Sequence, residues 1–366
     1  MPGGSVAGMA VPLAVYHGPP ELTPLRALTQ WSLDPWALAF ILLTGALYVA
    51  GMRRAQRLGE AWPASRAVLF CGLGLGFAVI ATQSSVGTYQ GVLFYVRAVQ
   101  TILLLLVVPL FLALGRPLSL AIAAFPAAGR RLEAGVTSRP AKVLTFPAIT
   151  TLALVITPFL LYFSPWYEAG LRSTGVRELT FLALLAPGLV FFWTLLRVDP
   201  VPKSYPYLVA LWITGGEVVG DAVLGLAVIA DQNLIAGGYY HALAWPFGPS
   251  LATSQILGGG VLWIFGDIVG LPFLAAQFIQ MIKEDDAEAQ AVDAELDARD
   301  AAREPRGARE LQGARELQAA REPHGAGAAG TSEAGQQRPW WESDPMITGR
   351  FSDAAAADSA DESRSQ

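Results

Sequence analysis

The chain has 366 residues, of which 53% are hydrophobic and 15% charged, with a mean hydropathy of +0.42. Soluble globular domains carry about a quarter charged residues, so this composition excludes a soluble globular enzyme. The charge is split: residues 1–282 hold 15 basic and 11 acidic side chains, residues 283–366 hold 10 and 19, which separates a weakly basic apolar body from an acidic tail.

Residues 1–30 are rich in Gly and Pro, and the first basic residue is Arg26. A secretory signal needs a positive segment ahead of its apolar run, so this stretch is expected to be a retained extramembrane arm. Seven apolar runs follow, near Pro35–Met52, Ala67–Ala81, Val92–Leu114, Val143–Phe163, Leu179–Leu196, Leu208–Ala230 and Ile256–Ile282. About 20 apolar residues cross the ~30 Å of bilayer hydrocarbon, and lipid leaves no partner for an open strand's amides, so each run is predicted to be a helix. The expected architecture is an all-α, polytopic seven-transmembrane-helix bundle over residues 31–285. Pro117–Pro126, at ten residues, is too short to span and reads as interfacial.

The loops between spans are unequal in charge. Arg53, Arg54, Arg57, Arg66, Arg116, Arg130, Arg131, Arg139, Lys142, Arg197 and Lys203 fall on one side, and only Arg172 and Arg177 on the other. Eleven against two is a positive-inside pattern, which places the N-terminus outside and the C-terminus in the cytoplasm. Trp31, Trp36, Trp166 and Trp245 are expected in the outer aromatic belt, with Trp62 and Trp193 in the inner one.

Residues 286–366 form a low-complexity acidic tail. Lys283–Arg303 is predicted to extend the last helix as a solvated stalk. Beyond it Ala-Arg-Glu recurs at 302–304, 308–310, 314–316 and 320–322. A period of six matches no helical multiple, and Pro305, Gly307, Gly313 and Pro323 interrupt it, so the stretch reads as disordered linker. Trp340 and Trp341 then form an aromatic cluster suited either to weak membrane contact or to docking.

An ionisable side chain at bilayer depth costs about 2.5–3.5 kcal/mol on insertion scales, which makes each one a functional candidate. Four qualify: Arg97, Glu217, Asp221 and Asp267. Glu217 and Asp221, four residues apart, share a helix face and suit a cation site, a proton relay or an ion pair. Counting inward from the outer helix ends sets Arg97 nearest the level of Asp221, its expected partner, with Asp267 next.

Metal chemistry is thinly provided. Copper needs thiolate, thioether or imidazole, yet Cys71 is the single cysteine, His17, His241 and His324 are the only histidines, and no such pair has ligand spacing within a helix. No metal site is therefore assigned. Tyr239, Tyr240 and His241 beside Trp245 read as an interfacial anchor. Gly72, Gly74 and Gly76 lie inside a span, so they are no dinucleotide loop; Gly72 and Gly76 are expected to form a close packing face, as are Gly215–Gly216 and Gly258–Gly260. No Walker motif, HExxH or nucleophile elbow is present. Neither an enzyme nor a nucleic-acid partner is indicated.

Several short strings occur in order along the chain. They are Ala61-Trp62-Pro63 with Arg66, Val96–Thr101 running to Val108-Pro109 and Leu114-Gly115-Arg116-Pro117, Phe191-Phe192-Trp193, Asp199-Pro200, Ser254 to Gly259, Leu262-Trp263 and Gly266-Asp267. With seven spans, this arrangement resembles the CtaG-type cytochrome c oxidase assembly family over about residues 30–285. The resemblance implies an accessory factor in oxidase maturation, partnered by oxidase subunits or other assembly factors within the lipid bilayer, and it brings copper into view as a cargo. The family's His-Met-x-Gln-His pattern falls on Arg97-Ala98-Val99-Gln100-Thr101, its fifth-span histidines near Arg177 and Phe181, and its seventh-span acid and methionine on Ser254 and Leu262. What persists is Gln100, Gln255, Gly258, Gly259, Trp263 and Asp267, so the expectation is a divergent member without the copper ligands and without a cofactor. The buried charges alone leave a second class open, a small-solute or ion-coupled transporter, although no internal repeat or pair of broken helices supports it.

Overall fold

The computed structural model describes Tyr16, residues 18–200 and residues 207–319. Among these every regular element is helical. The outer approach is α1 (Pro24–Thr29), followed by α2 (Pro35–Arg57). The second span is α3 (Ala64–Ala67), a π-helical stretch at Val68–Gly74, α4 (Leu75–Gln83) and α5 (Ser85–Tyr89). The third is α6 (Phe94–Ile102), a π-helical stretch at Leu103–Val107 and α7 (Val108–Leu114), leading into the short helices α8 (Pro117–Ala124), α9 (Pro126–Val136) and α10 (Arg139–Leu144). Then come α11 (Pro147–Tyr162), α12 (Trp166–Arg172), α13 (Thr174–Leu196), α14 (Tyr207–Ala230), α15 (Gly237–Leu243) and α16 (Leu251–Ala319). Six helical runs are long and apolar enough to cross a membrane, and the bent pair α11 and α12, at 66°, raises this to seven. The bend falls at Ser164-Pro165, where proline has no N–H to continue the ladder and the Ser164 hydroxyl instead accepts from the Trp166 amide at 3.2 Å.

The third span is the centre of the body: 67% of its apolar window is buried, against 22% for α2. Its π stretch precedes Pro109, which cannot donate to the Leu105 carbonyl four residues back. That carbonyl faces α13 at Gly188, where a Cβ would collide with it and would meet the Pro109 ring at 2.7 Å. Removing one side chain thus lets α13 close on the irregular turn. Asp199, after α13, caps α8: its carboxylate accepts from the Leu118 amide at 3.1 Å and the Ser119 amide at 2.9 Å, an anion at a helix N-terminus.

Some packing differs from expectation. Gly72 and Gly76 meet no neighbouring helix, whereas a Cβ on Gly74 would lie 2.7 Å from Leu112. The π stretch Val68–Gly74 inserts extra backbone and turns a different face inward. Gly215, Gly216 and Gly260 likewise have nothing within 4 Å outside their own helix. Trp62 is buried and donates to the Tyr48 hydroxyl at 3.2 Å, with Arg66 over its ring at 4.6 Å; it belongs to the core instead of an aromatic belt.

The chain divides into units of residues 1–291 and 292–366. In the second, helix continues to Ala319, past Pro305, Gly307 and Gly313. The Ala-Arg-Glu strings are strong helix formers, and a Glu295–Arg299 pair at 2.7 Å adds i,i+4 support. His17, Lys203, His324, Trp340 and Trp341 lie outside the described residues.

Candidate functional site

Two buried polar sites are built on the span helices. The first surrounds Arg97, near the start of α6 and 3% exposed. Its Nη1 donates to Gln90 Oε1 at 3.0 Å, and its guanidinium carbon sits 4.7 Å from the centroid of the Tyr167 ring. Gly170 of α12 makes the room: a Cβ there would lie 2.8 Å from Arg97 Nη2. Around the cation, the Tyr167 and Tyr240 hydroxyls are 2.9 Å apart, and the Tyr162 hydroxyl meets Thr101 at 3.1 Å. The Tyr162 and Tyr167 ring centroids are 5.2 Å apart. Burial pushes the phenol of Tyr240, on α15 between spans, above the ordinary tyrosine value, so it stays a neutral hydroxyl.

Among the described residues no carboxylate is ion-paired with Arg97. The expected pairing with Asp221 or Asp267 is therefore corrected. Depth placed Arg97 and Asp221 correctly as buried, with Asp267 half-buried, but facing decides contact, and Arg97 faces α12 and α15 while Asp221 faces α16. A desolvated cation–π contact gives about 2 kcal/mol and a hydrogen bond from a charged donor about 1.5–3 kcal/mol. Together, at about 3.5–5 kcal/mol, they offset the ~2.5–3.5 kcal/mol cost of a charge in the bilayer, with Nε left unpartnered among the described residues. A carboxylate is not needed. The same cage corrects the reading of Tyr240 as an interfacial anchor: it is 4% exposed, while His241 beside it is exposed.

The second site is the seam of α14 and α16. Gly225 and Gly259 put the two backbones in contact, each Cβ position lying 2.6–2.7 Å from the other's carbonyl oxygen. Two turns along α16, Gly266 lies against the Asp221 carboxyl, and one turn further a Cβ on Gly270 would lie 3.1 Å from Glu217 Oε2. Below them the Thr214 hydroxyl donates to Gln277 Oε1 at 3.3 Å. The antiparallel register thus seats each carboxyl of α14 in a glycine notch of α16. Glu217 and Asp221 interact with each other and with Asp267, and both are buried. Asp221 Oδ2 and Asp267 Oδ1 are buried without a hydrogen-bond partner among the described residues.

The positions marked by resemblance act as clamps. Gln100 donates to the Ala81 carbonyl at 2.7 Å, tying α6 to α4. Gln255 accepts from the Ile235 amide at 2.9 Å and donates to the Asn233 carbonyl at 3.1 Å, holding the turn after α14. Gly258 packs on Phe94, and Gly259 with the backbone of Trp263 on Gly225. Sequence reasoning missed Gln90, Tyr162 and Tyr167, which hold Arg97, and Gly266 and Gly270, which admit the carboxyls. The small-residue spacing from Gly266 to Gly270 was the available signal.

The residues present do not fit a copper ion. At the positions in question stand a guanidinium, the Thr101 hydroxyl bonded to Tyr162, Arg177 ion-paired with Asp34 at 2.8 Å and with Glu178 at 3.3 Å, Phe181, the Ser254 hydroxyl and the buried Leu262. None is a soft or imidazole ligand, and Arg97 sets a positive charge where a cation would lie. Among the described residues no group of three His, Cys, Asp or Glu is placed to hold a metal ion.

Residues 46–284 match the family described as cytochrome c oxidase caa3 assembly factor. The uncharacterized protein ML1998 of Mycobacterium leprae is 27% identical over 275 residues, 73% of this chain and 41% of that protein. The uncharacterized proteins Mb0105 of Mycobacterium bovis and MT0111 of Mycobacterium tuberculosis are each 25% identical over 291 residues, 77% of this chain and 44% of theirs. The chain thus spans less than half the length of these relatives. No solved structure matches it.

Proposed function

The chain belongs to the cytochrome c oxidase caa3 assembly factor family, and on that premise we propose that it is a non-catalytic accessory factor in oxidase maturation. It works in the bacterial plasma membrane, N-terminus outside and C-terminus cytoplasmic, beside oxidase subunits or other assembly factors. The family match over residues 46–284 carries this reading. The Arg97 cage supports a scaffold in place of a carrier, because the position where the family pattern has histidine is filled by a fixed cation. Deleting the gene and measuring oxidase activity and the copper content of isolated oxidase tests it: activity falls and the intact gene restores it. Unchanged oxidase activity and copper content would overturn the reading.

A second reading, cation- or proton-coupled transport of a small solute, is favoured by one observation, the partnerless carboxyl oxygens of Asp221 and Asp267. It predicts coupled flux in proteoliposomes that Asp221→Asn abolishes, with oxidase assembly intact in the deletion strain.

A further inference from the structure

A groove of about 690 Å³ runs along α2 against α8 and the π stretch of the second span. Its walls are apolar, with Leu47, Phe70 and Leu120 among them, and three arginines, Arg53, Arg54 and Arg57, stand at one end. Leu47 is 65% exposed, so the groove opens sideways where a membrane would lie. A second apolar cavity of about 440 Å³ continues from it, sharing Thr44, Phe70 and Pro117.

We infer that this groove is a binding site for an anionic phospholipid, its acyl chains along α2 and its phosphate among Arg53, Arg54 and Arg57. Three observations converge on that occupant. From Arg54 to Thr44 is ten residues, about 15 Å at 1.5 Å each, which is one leaflet of a ~30 Å hydrocarbon layer. The charge is uncompensated: none of the three arginines is ion-paired among the described residues, and Glu60, the acid next in sequence, lines a separate hollow with Gln56 and Trp62. The rim is also built. Arg54 Nε donates to the Ala124 carbonyl at 2.7 Å and its guanidinium lies 4.7 Å from the Phe125 ring centroid, fixing it across the α8–α9 corner. A cation anchored through Nε keeps its two terminal nitrogens as donors, the arrangement that suits phosphate. The positive-inside rule accounts for basic loops at this end, but not for an apolar trough of one-leaflet length below them.

The test uses the full chain purified in neutral detergent, with thermal unfolding and native mass spectrometry as readouts. Phosphatidylglycerol is expected to raise the unfolding temperature and to remain bound at one lipid per chain, with phosphatidylcholine far weaker. Combining Arg53→Gln, Arg54→Gln and Arg57→Gln is expected to weaken binding on the order of tenfold or more. Ala50→Trp fills the trough, leaves all three arginines in place and weakens binding as well. Arg130→Gln with Arg131→Gln, on α9 outside the groove, leaves it within about twofold. Should the triple variant fail to fold, Ala50→Trp and Arg57→Gln alone carry the same comparison. Equal binding of phosphatidylcholine, equal competition by free glycerol phosphate, or undiminished binding in the Ala50→Trp variant would overturn the site.

Discussion

The Arg97 cage and the α14–α16 seam solve the same problem in opposite ways. Each buries charge of one sign, and neither borrows the countercharge of the other. Arg97 is met by neutral groups that surround it: an amide oxygen, an aromatic face and a ring of tyrosine hydroxyls. The seam carboxyls are met by missing side chains, since Gly266 and Gly270 give them space without giving them a donor. A buried cation finds π-faces and carbonyls readily; a buried carboxylate needs N–H or O–H groups, which helix backbones have already used. The cage therefore holds its cation through Nη1 and the π-face and leaves its Nε without a partner among the described residues, whereas the seam leaves carboxyl oxygens of Asp221 and Asp267 facing no donor, with capacity for a proton or ligand.

The largest effect is expected at the cage. Arg97→Ala removes the contacts together with the charge they offset, so its net cost comes from the cavity it leaves and from the Gln90 oxygen it orphans, and should be about 3 kcal/mol. In double-mutant cycles Arg97 and Asp221 should add within ~0.5 kcal/mol, whereas Arg97 and Tyr167 should couple by about 1–2 kcal/mol. Coupling of Arg97 to Asp221 above that of Arg97 to Tyr167 would reunite the two sites and break the comparison.

Next in size is the seam. Gly266→Ala drives a methyl into the Asp221 carboxyl and should cost about 1–3 kcal/mol. Gly216→Ala, where nothing lies within 4 Å, should be neutral or stabilise by up to ~1 kcal/mol. Equal effects at the two positions would remove the notch. Asp221→Asn should leave the protein at least as stable as the parent, since the carboxylate oxygen it replaces has no partner to lose. The smallest destabilisation is expected for Tyr240→Phe, which deletes one neutral hydroxyl pair and should cost about 1 kcal/mol by denaturant unfolding.

How much of this was legible in the sequence follows from what each signal measures. Span positions depend on length and apolarity, and the helices lie where the runs do, with the second extended from Ala64 to Tyr89. Facing depends on helical phase, and phase is lost wherever the helix is irregular. Gly74 instead of Gly72 and Gly76 packs on Leu112 because the π stretch resets the register. The partner of Arg97 was missed for a related reason: equal depth says nothing of direction, and Gln90, Tyr162 and Tyr167 carry no formal charge to attract notice. Trp62 shares the loop placement of a belt residue, yet the chain folds it back onto Tyr48. Pro305 and Gly307 argued for a break, and the propensity of the flanking Ala-Arg-Glu strings outweighs them through Ala319.

The claim most exposed to direct test is that the cage has taken the place of a copper site. Copper(I) titrated into the purified full chain under reducing conditions, against a competing chelator, should show no stoichiometric high-affinity binding, in the parent and after His17→Ala with His241→Ala alike. One equivalent held tightly by the parent and retained by that double variant would contradict the account, because the ligands would then have to come from the body whose soft and imidazole donors are absent from the Arg97 position.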